Sequence, residues 1–132
     1  MIQRPNAIGL VVCQQAVIEE GTRNMTLVDA FNRLTLGTFP TPPQHFTVYA
    51  LLTDGLGTMT LTMNVAPLDT LEPILTRSWQ ATFPDALYEL RLVARTKSVC
   101  FPAPGRYEIN LLAEGEMLAR RVITLVREEG QS

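Results

Sequence analysis

The chain has 132 residues, of which 46% are hydrophobic and 18% are charged, and its formal net charge at pH 7 is −2. This length suits one domain spanning residues 1–132, and the balanced composition argues against both intrinsic disorder and a nucleic-acid partner. The apolar stretches are far shorter than the roughly 18 to 20 residues needed to cross a bilayer, so we expect no membrane contact.

The first predicted element contains the apolar run Ala7–Cys13, which could be an export signal or a buried strand. A cleavable signal needs small residues before the cut, whereas Val12 precedes the cysteine here. Alternation favours a strand whose buried face would comprise Ile8, Leu10, Val12, Ala16 and Ile18. Without a signal, we expect a cytoplasmic protein.

The next segment, Met25–Leu36, allows two interpretations. Thr26 and Asp29 could form a capping box, and the apolar residues Leu27, Phe31 and Leu34 have helical spacing. The surrounding chain instead alternates strands and turns at intervals of about 8 to 12 residues, which is typical of an all-β domain. We therefore favour a strand.

The middle of the chain contains four segments in which apolar residues alternate. Their predicted inward-facing sets are Phe46, Val48, Ala50 and Leu52; Met59, Leu61, Met63 and Val65; Leu75, Trp79, Ala81 and Phe83; and Tyr88, Leu90, Leu92 and Ala94. Proline-rich stretches at Phe39–Pro43 and Phe101–Gly105 cannot be central strands and are predicted to be a crossover and a rigid corner.

The final element is a predicted hairpin. Tyr107, Ile109 and Leu111 alternate with polar residues before a tight turn at Glu114–Gly115, and a second apolar stretch follows from Met117 to Val126. Arg120 and Arg121 are adjacent in that stretch, so one of them breaks the alternation, and a β-bulge would resolve the conflict.

These segments give about eight strands, enough for two packed sheets, and predict an all-β fold, a sandwich or a barrel. The stretches Val12–Pro40, His45–Gly57 and Phe101–Leu125 resemble a bacterial family of single-domain immunoglobulin-like proteins of unknown function. The resemblance implies an all-β, immunoglobulin-like antiparallel β-sandwich of two sheets, which is the fold we expect, and a strand within Met25–Leu36. It provides no catalytic residues to carry over.

Residues that could support catalysis are few. His45 is the single histidine, so a thiol enzyme would have to pair it with Cys13 or Cys100. Cysteines in apolar strands usually act as small core residues, and these three residues do not form a four-ligand metal set. The sequence therefore predicts free thiols, no enzyme activity, and no catalytic, cofactor-binding or metal-binding residues.

Two features could mark a binding surface. Trp79 is expected in the core, but if exposed it would suit a sugar platform or a protein hot spot. Arg91, Arg95 and Lys97 could form a basic patch, joined by Arg120 or Arg121 if the final strands are neighbours. The net charge instead favours an ordinary solvated sheet face.

The sequence thus favours a non-enzymatic protein-interaction or structural module, and an edge strand could also form a homodimer. The alternative is a small-ligand or glycan binder that uses Trp79 and the proline-stiffened loops. A thiol enzyme is the least favoured function.

Overall fold

The computed structural model describes residues 2–129, which form an all-β fold. The nine strands are β1 Asn6–Ile18, β2 Met25–Ala30, β3 Arg33–Leu36, β4 Gln44–Thr53, β5 Gly57–Pro67, β6 Leu75–Phe83, β7 Leu90–Val99, β8 Gly105–Ala113 and β9 Glu116–Arg127. This is one strand more than the sequence indicates. Residues 2–129 contain no helix with the length and apolar character needed to span a membrane.

The strands form two sheets, with the orders β2-β1-β4-β7 and β3-β9-β8-β5-β6. Neighbouring strands are antiparallel, except that β3 runs parallel to β9, which corrects the prediction of a wholly antiparallel sandwich. The segment Met25–Leu36 contains strands, as favoured above, but they belong to different sheets. The chain therefore crosses between the sheets at Phe31–Asn32.

The two sheets enclose one core, and the predicted alternation positions most of it correctly. The largest fully buried side chains are Phe46, Phe83, Phe101, Leu52, Met59, Leu61, Met63, Ile109, Leu111, Ile123, Leu125 and Val12. All four predicted inward residues of β4 and of β5 are buried. Tyr88 is an exception, because it precedes β7 and packs edge-on against Phe83.

A β-bulge at Gly9 interrupts the alternation of β1. The register against β4 shifts between Ile8 and Leu10, and Gly9 has a φ of +80°, which side chains rarely tolerate. Ile8 is consequently 57% exposed whereas Leu10 is 4% exposed. The prediction that these two residues share a face is wrong because the extra residue reverses the phase.

The distal half of β1 leaves the sheet. Pairing with β4 ends at Cys13, and beyond it β1 pairs only with β2, so that residues 14–30 form a two-stranded arm, the β1–β2 arm. Arg91 Nη1 donates to Arg23 O at 2.8 Å, and Arg95 Nη2 donates to Ala16 O at 3.1 Å. Because both arginines lie on the outer face of β7, the β1–β2 arm lies across the outside of the four-stranded sheet.

An aromatic corner fixes the passage from β7 to β8. The Tyr107 hydroxyl donates to Ala103 O at 2.6 Å and accepts from Ala103 N at 3.3 Å. The Phe101 ring packs edge-on against Tyr107, with centroids 4.9 Å apart, and lies 6.3 Å from the Phe46 ring. The predicted proline-rich corner is therefore held by one buried hydroxyl and an aromatic cluster.

Candidate functional site

Each side of the sandwich carries an inward-facing arginine near a strand edge. Arg77 on β6 donates to Arg95 O of β7 at 2.9 Å, and Arg121 on β9 donates to Leu10 O of β1 at 3.1 Å. Each bond joins the two sheets and satisfies a main-chain carbonyl.

The side formed by β6 and β7, here called the β6–β7 side, contains a groove of about 430 Å³. Its lining residues are Leu75, Arg77, Arg95, Thr96, Lys97, Ser98 and Val99. Three of these residues are basic and none is acidic. Within residues 2–129 the salt bridges are Arg4–Glu116 and Arg120–Glu108, so no carboxylate neutralises the basic residues of the groove.

The guanidinium of Arg77 is held in place from two directions. Its carbon lies 5.3 Å from the centre of the Trp79 ring, within the range of a cation–π interaction, and one N–H donates to Arg95 O. A guanidinium has five N–H donors, and only one is used by this bond. The remaining donors are available in an oriented group, which suits recognition of an anion.

Trp79 lies half-buried on the inner face of β6 and packs against the core. Its partner across the strand pair is Leu61, which is fully buried. Trp79 therefore packs against the core from a half-buried position, which agrees only in part with the predicted core role. One ring face is occupied by Arg77, so Trp79 does not provide the open platform that the glycan hypothesis required.

The basic patch that the sequence allowed as an alternative forms only in part. Arg91, Arg95 and Lys97 share the outer phase of β7, as their spacing predicts. Arg120 and Arg121 belong to β9 in the other sheet and do not join them. Sequence reasoning missed Arg77 because the opposite sheet contributes it. The sequence feature that could have indicated Arg77 is its inward-facing position between Leu75 and Trp79 on β6.

The adjacent Arg120 and Arg121 break the alternation of β9, and the structure accommodates them differently from the bulge expected at that position. A bulge is present, but it lies at Leu118, before the two arginines. Arg121 then faces inward opposite Ile109, and its charged end reaches the Leu10 carbonyl at the side of the sandwich. Arg120 faces outward and pairs with Glu108 at 3.4 Å.

The outer face of the five-stranded sheet carries a chain of polar side chains that sequence reasoning also missed. Thr76 donates to Asn64 at 2.7 Å, Asn64 donates to Asn110 at 3.1 Å, and Asn110 donates to Glu108 at 2.8 Å. Glu108 is only 3% exposed. Because these groups satisfy one another, the network stabilises the sheet face and leaves little capacity for a ligand.

The two cysteines differ in burial, and His45 is hydrogen-bonded to neither of them within the described residues. Cys13 is buried, its Sγ donates to Gln15 O at 3.5 Å, and burial raises the pKa of its thiol, whereas a nucleophile needs a lowered pKa. Cys100 is a free, exposed thiol. Within residues 2–129, no hydrogen bond joins His45 to either cysteine, and no group of three or more potential metal ligands is found.

A second groove, the end groove, lies at one end of the sandwich and has a volume of about 570 Å³. The loops that follow β5 and β7 form it together with the start of β8, and Leu68 N of the first loop donates to Arg106 O of β8 at 2.9 Å. Its lining residues are Pro67, Leu68, Asp69, Thr70, Pro102, Ala103, Pro104, Gly105, Arg106 and Tyr107. The stiffened loops predicted from the prolines therefore do meet around a concave surface.

Comparison with known proteins identifies one family. A family model described as a family of unknown function, DUF6941, matches residues 9–126, from the bulge of β1 almost to the end of β9. The comparison with curated proteins gave no match. Since the match covers most of the chain, the protein belongs to the family of unknown function DUF6941.

Proposed function

We propose that this protein is a non-enzymatic protein-interaction module that contacts its partner through the β6–β7 side. The observation that carries the proposal is the groove between β6 and β7, which Arg77, Arg95 and Lys97 line without a salt bridge to a carboxylate among the described residues. Both strands end their sheets, so unpaired backbone groups lie next to this charge. Charge and exposed backbone together suit recognition of another polypeptide.

An immunoglobulin-like sandwich is the fold we propose for this module. β1, β4 and β7 share one sheet, while β5, β8 and β9 share the other, and these groups correspond to strands A, B and E and strands C, F and G of that fold. Tyr107 lies near the start of β8, the F position, and its hydroxyl binds main chain four residues upstream. A tyrosine in this position is characteristic of such sandwiches.

A cytoplasmic location and a partner other than a second copy also belong to the proposal. Two free cysteines, one of them exposed, suit a reducing compartment. A homodimer formed through the β7 edges would bring Arg91, Arg95 and Lys97 of two copies together. Like charges facing each other oppose this pairing, so we favour a partner of different sequence.

The proposal predicts that reversing one charge in the groove reduces partner capture. Lys97 is exposed, so Lys97→Glu is expected to leave the fold intact while lowering the amount of a specific partner retained from cell extract by about tenfold or more. Arg33→Glu, an equal charge change on exposed β3, is the control and should retain the partner. The measurement is quantitative mass spectrometry of the captured proteins. Equal capture by both variants would contradict the proposed surface.

A small-ligand binder is the second candidate function, and the end groove is the observation that favours it. Its volume falls within the range of about 300 to 1,000 Å³ that is usual for small-molecule sites. A metabolite that binds there should raise the melting temperature in a thermal-shift screen. Arg106→Ala should abolish that rise, while Lys97→Glu should preserve it. A screen without any stabilising compound would remove support for this function.

A further inference from the structure

We infer that the groove on the β6–β7 side takes the carboxylates of an extended, acidic segment of a partner protein. This inference rests on the proposed function and specifies the chemistry of the partner. The guanidinium of Arg77 is oriented by Trp79 and by Arg95 O, and it retains donors for a planar, bidentate acceptor. A carboxylate has that geometry.

The other two basic residues of the groove, Arg95 and Lys97, direct their charged groups to different places. The guanidinium of Arg95 is directed across the sheet to Ala16 O, so it mainly holds the β1–β2 arm. Lys97 is exposed on β7 and lines the same groove as Arg77. Arg77 and Lys97 are therefore the two groups we assign to the carboxylates, and Ser98 supplies a neutral donor beside them.

The open edge of β7 accounts for the extended shape of the ligand. Arg95 O accepts its bond from Arg77 in the other sheet, so this carbonyl points away from β4. In an antiparallel strand, residues two positions apart direct their backbone N–H and C=O groups to the same side of the strand. The backbone groups of Val93 and Arg91 therefore also point to the open edge of β7. A segment in β conformation can bind these groups while its alternate side chains reach the groove.

A pair of short peptides tests the inference. A fluorescein-labelled peptide of alternating glutamate and serine is expected to bind saturably by anisotropy and to change the emission of Trp79, the single tryptophan. The glutamine–serine counterpart should bind about tenfold more weakly, because each charge-assisted hydrogen bond becomes a neutral one. Binding of the acidic peptide should also weaken between about 0.05 and 0.5 M salt.

Variants connect the binding to the assigned residues. Lys97→Gln and Arg77→Lys should each weaken binding of the acidic peptide. The second should do so because a lysine ammonium cannot make the planar, bidentate hydrogen bonds of a guanidinium. Arg33→Gln is the matched control and should bind like the parent chain. Circular dichroism of each variant establishes that the fold is intact before affinities are compared.

Three outcomes would overturn the inference. The first is no saturable binding of the acidic peptide, and the second is equal binding of the glutamine peptide. The third is tighter binding of a short single-stranded oligonucleotide, which would make phosphate the preferred anion. The proposed function is judged separately by partner capture with Lys97→Glu, so a glutamine peptide that binds equally well, with loss in the Lys97 variant, would remove only the carboxylate inference.

Discussion

Phe101→Ala is expected to lower the free energy of unfolding by about 3 to 5 kcal/mol, the range for removing a large buried aromatic side chain. Phe101 is fully buried, stacks near Phe46 and contacts Tyr107, and its backbone N–H donates to Thr41 Oγ1 at 2.9 Å. The substitution would leave a cavity where the β7–β8 corner meets the crossover before β4. Urea denaturation followed by circular dichroism measures the change.

A conservative replacement provides the control for this experiment. Phe101→Leu keeps most of the apolar volume and should lower the stability by a smaller amount, because less of the cavity remains empty. If the alanine variant lost less than about 1 kcal/mol, the corner would be able to collapse around the missing ring. The aromatic cluster would then not be the element that holds β7 and β8 together.

Tyr107→Phe is the second substitution with a large expected effect, and it should lower the stability by about 1 to 3 kcal/mol. The ring stays, but the buried hydroxyl that donates to Ala103 O and accepts from Ala103 N is lost. Both hydrogen bonds to Ala103 are then lost, and each contributes about 0.5 to 1.5 kcal/mol. Thermal unfolding monitored by circular dichroism measures the effect.

The matched control for Tyr107 is Tyr88→Phe. Tyr88 is 43% exposed and packs its ring against Phe83, so solvent can replace any interaction of its hydroxyl. We expect this variant to unfold within about 0.5 kcal/mol of the parent chain. Similar losses in the two variants would mean that the Tyr107 hydrogen bonds do not contribute to the corner.

The strands that have one buried face and one solvent-exposed face were predictable from the sequence. Met59, Leu61, Met63 and Val65 on β5 alternate without interruption, and every one of them is buried. The predicted alternation of β1 fails at Gly9, where a bulge shifts the register. A bulge depends on backbone geometry, and the order of apolar residues before Gly9 does not indicate it. The β1–β2 arm could not be predicted either, since its position depends on hydrogen bonds from distant Arg91 and Arg95.

Only the part of the candidate groove that belongs to the single strand β7 was predictable from the sequence. The spacing of Arg91, Arg95 and Lys97 was sufficient to put them on one face of β7. The contribution of Arg77 depends on which strands end the two sheets, and this is a property of topology rather than of local pattern. Arg120 or Arg121 could have joined the patch only if β9 were a neighbour of β7, and the two strands belong to different sheets.

The bond from Arg121 to Leu10 joins residues 111 positions apart, near opposite ends of the chain. During synthesis on the ribosome, β1 must therefore wait until Arg121 has emerged before this side of the molecule can close. Contacts of such long sequence separation slow folding, and exposed strand edges can associate wrongly in the meantime. We therefore expect that truncation before Arg121 leaves a product prone to aggregation.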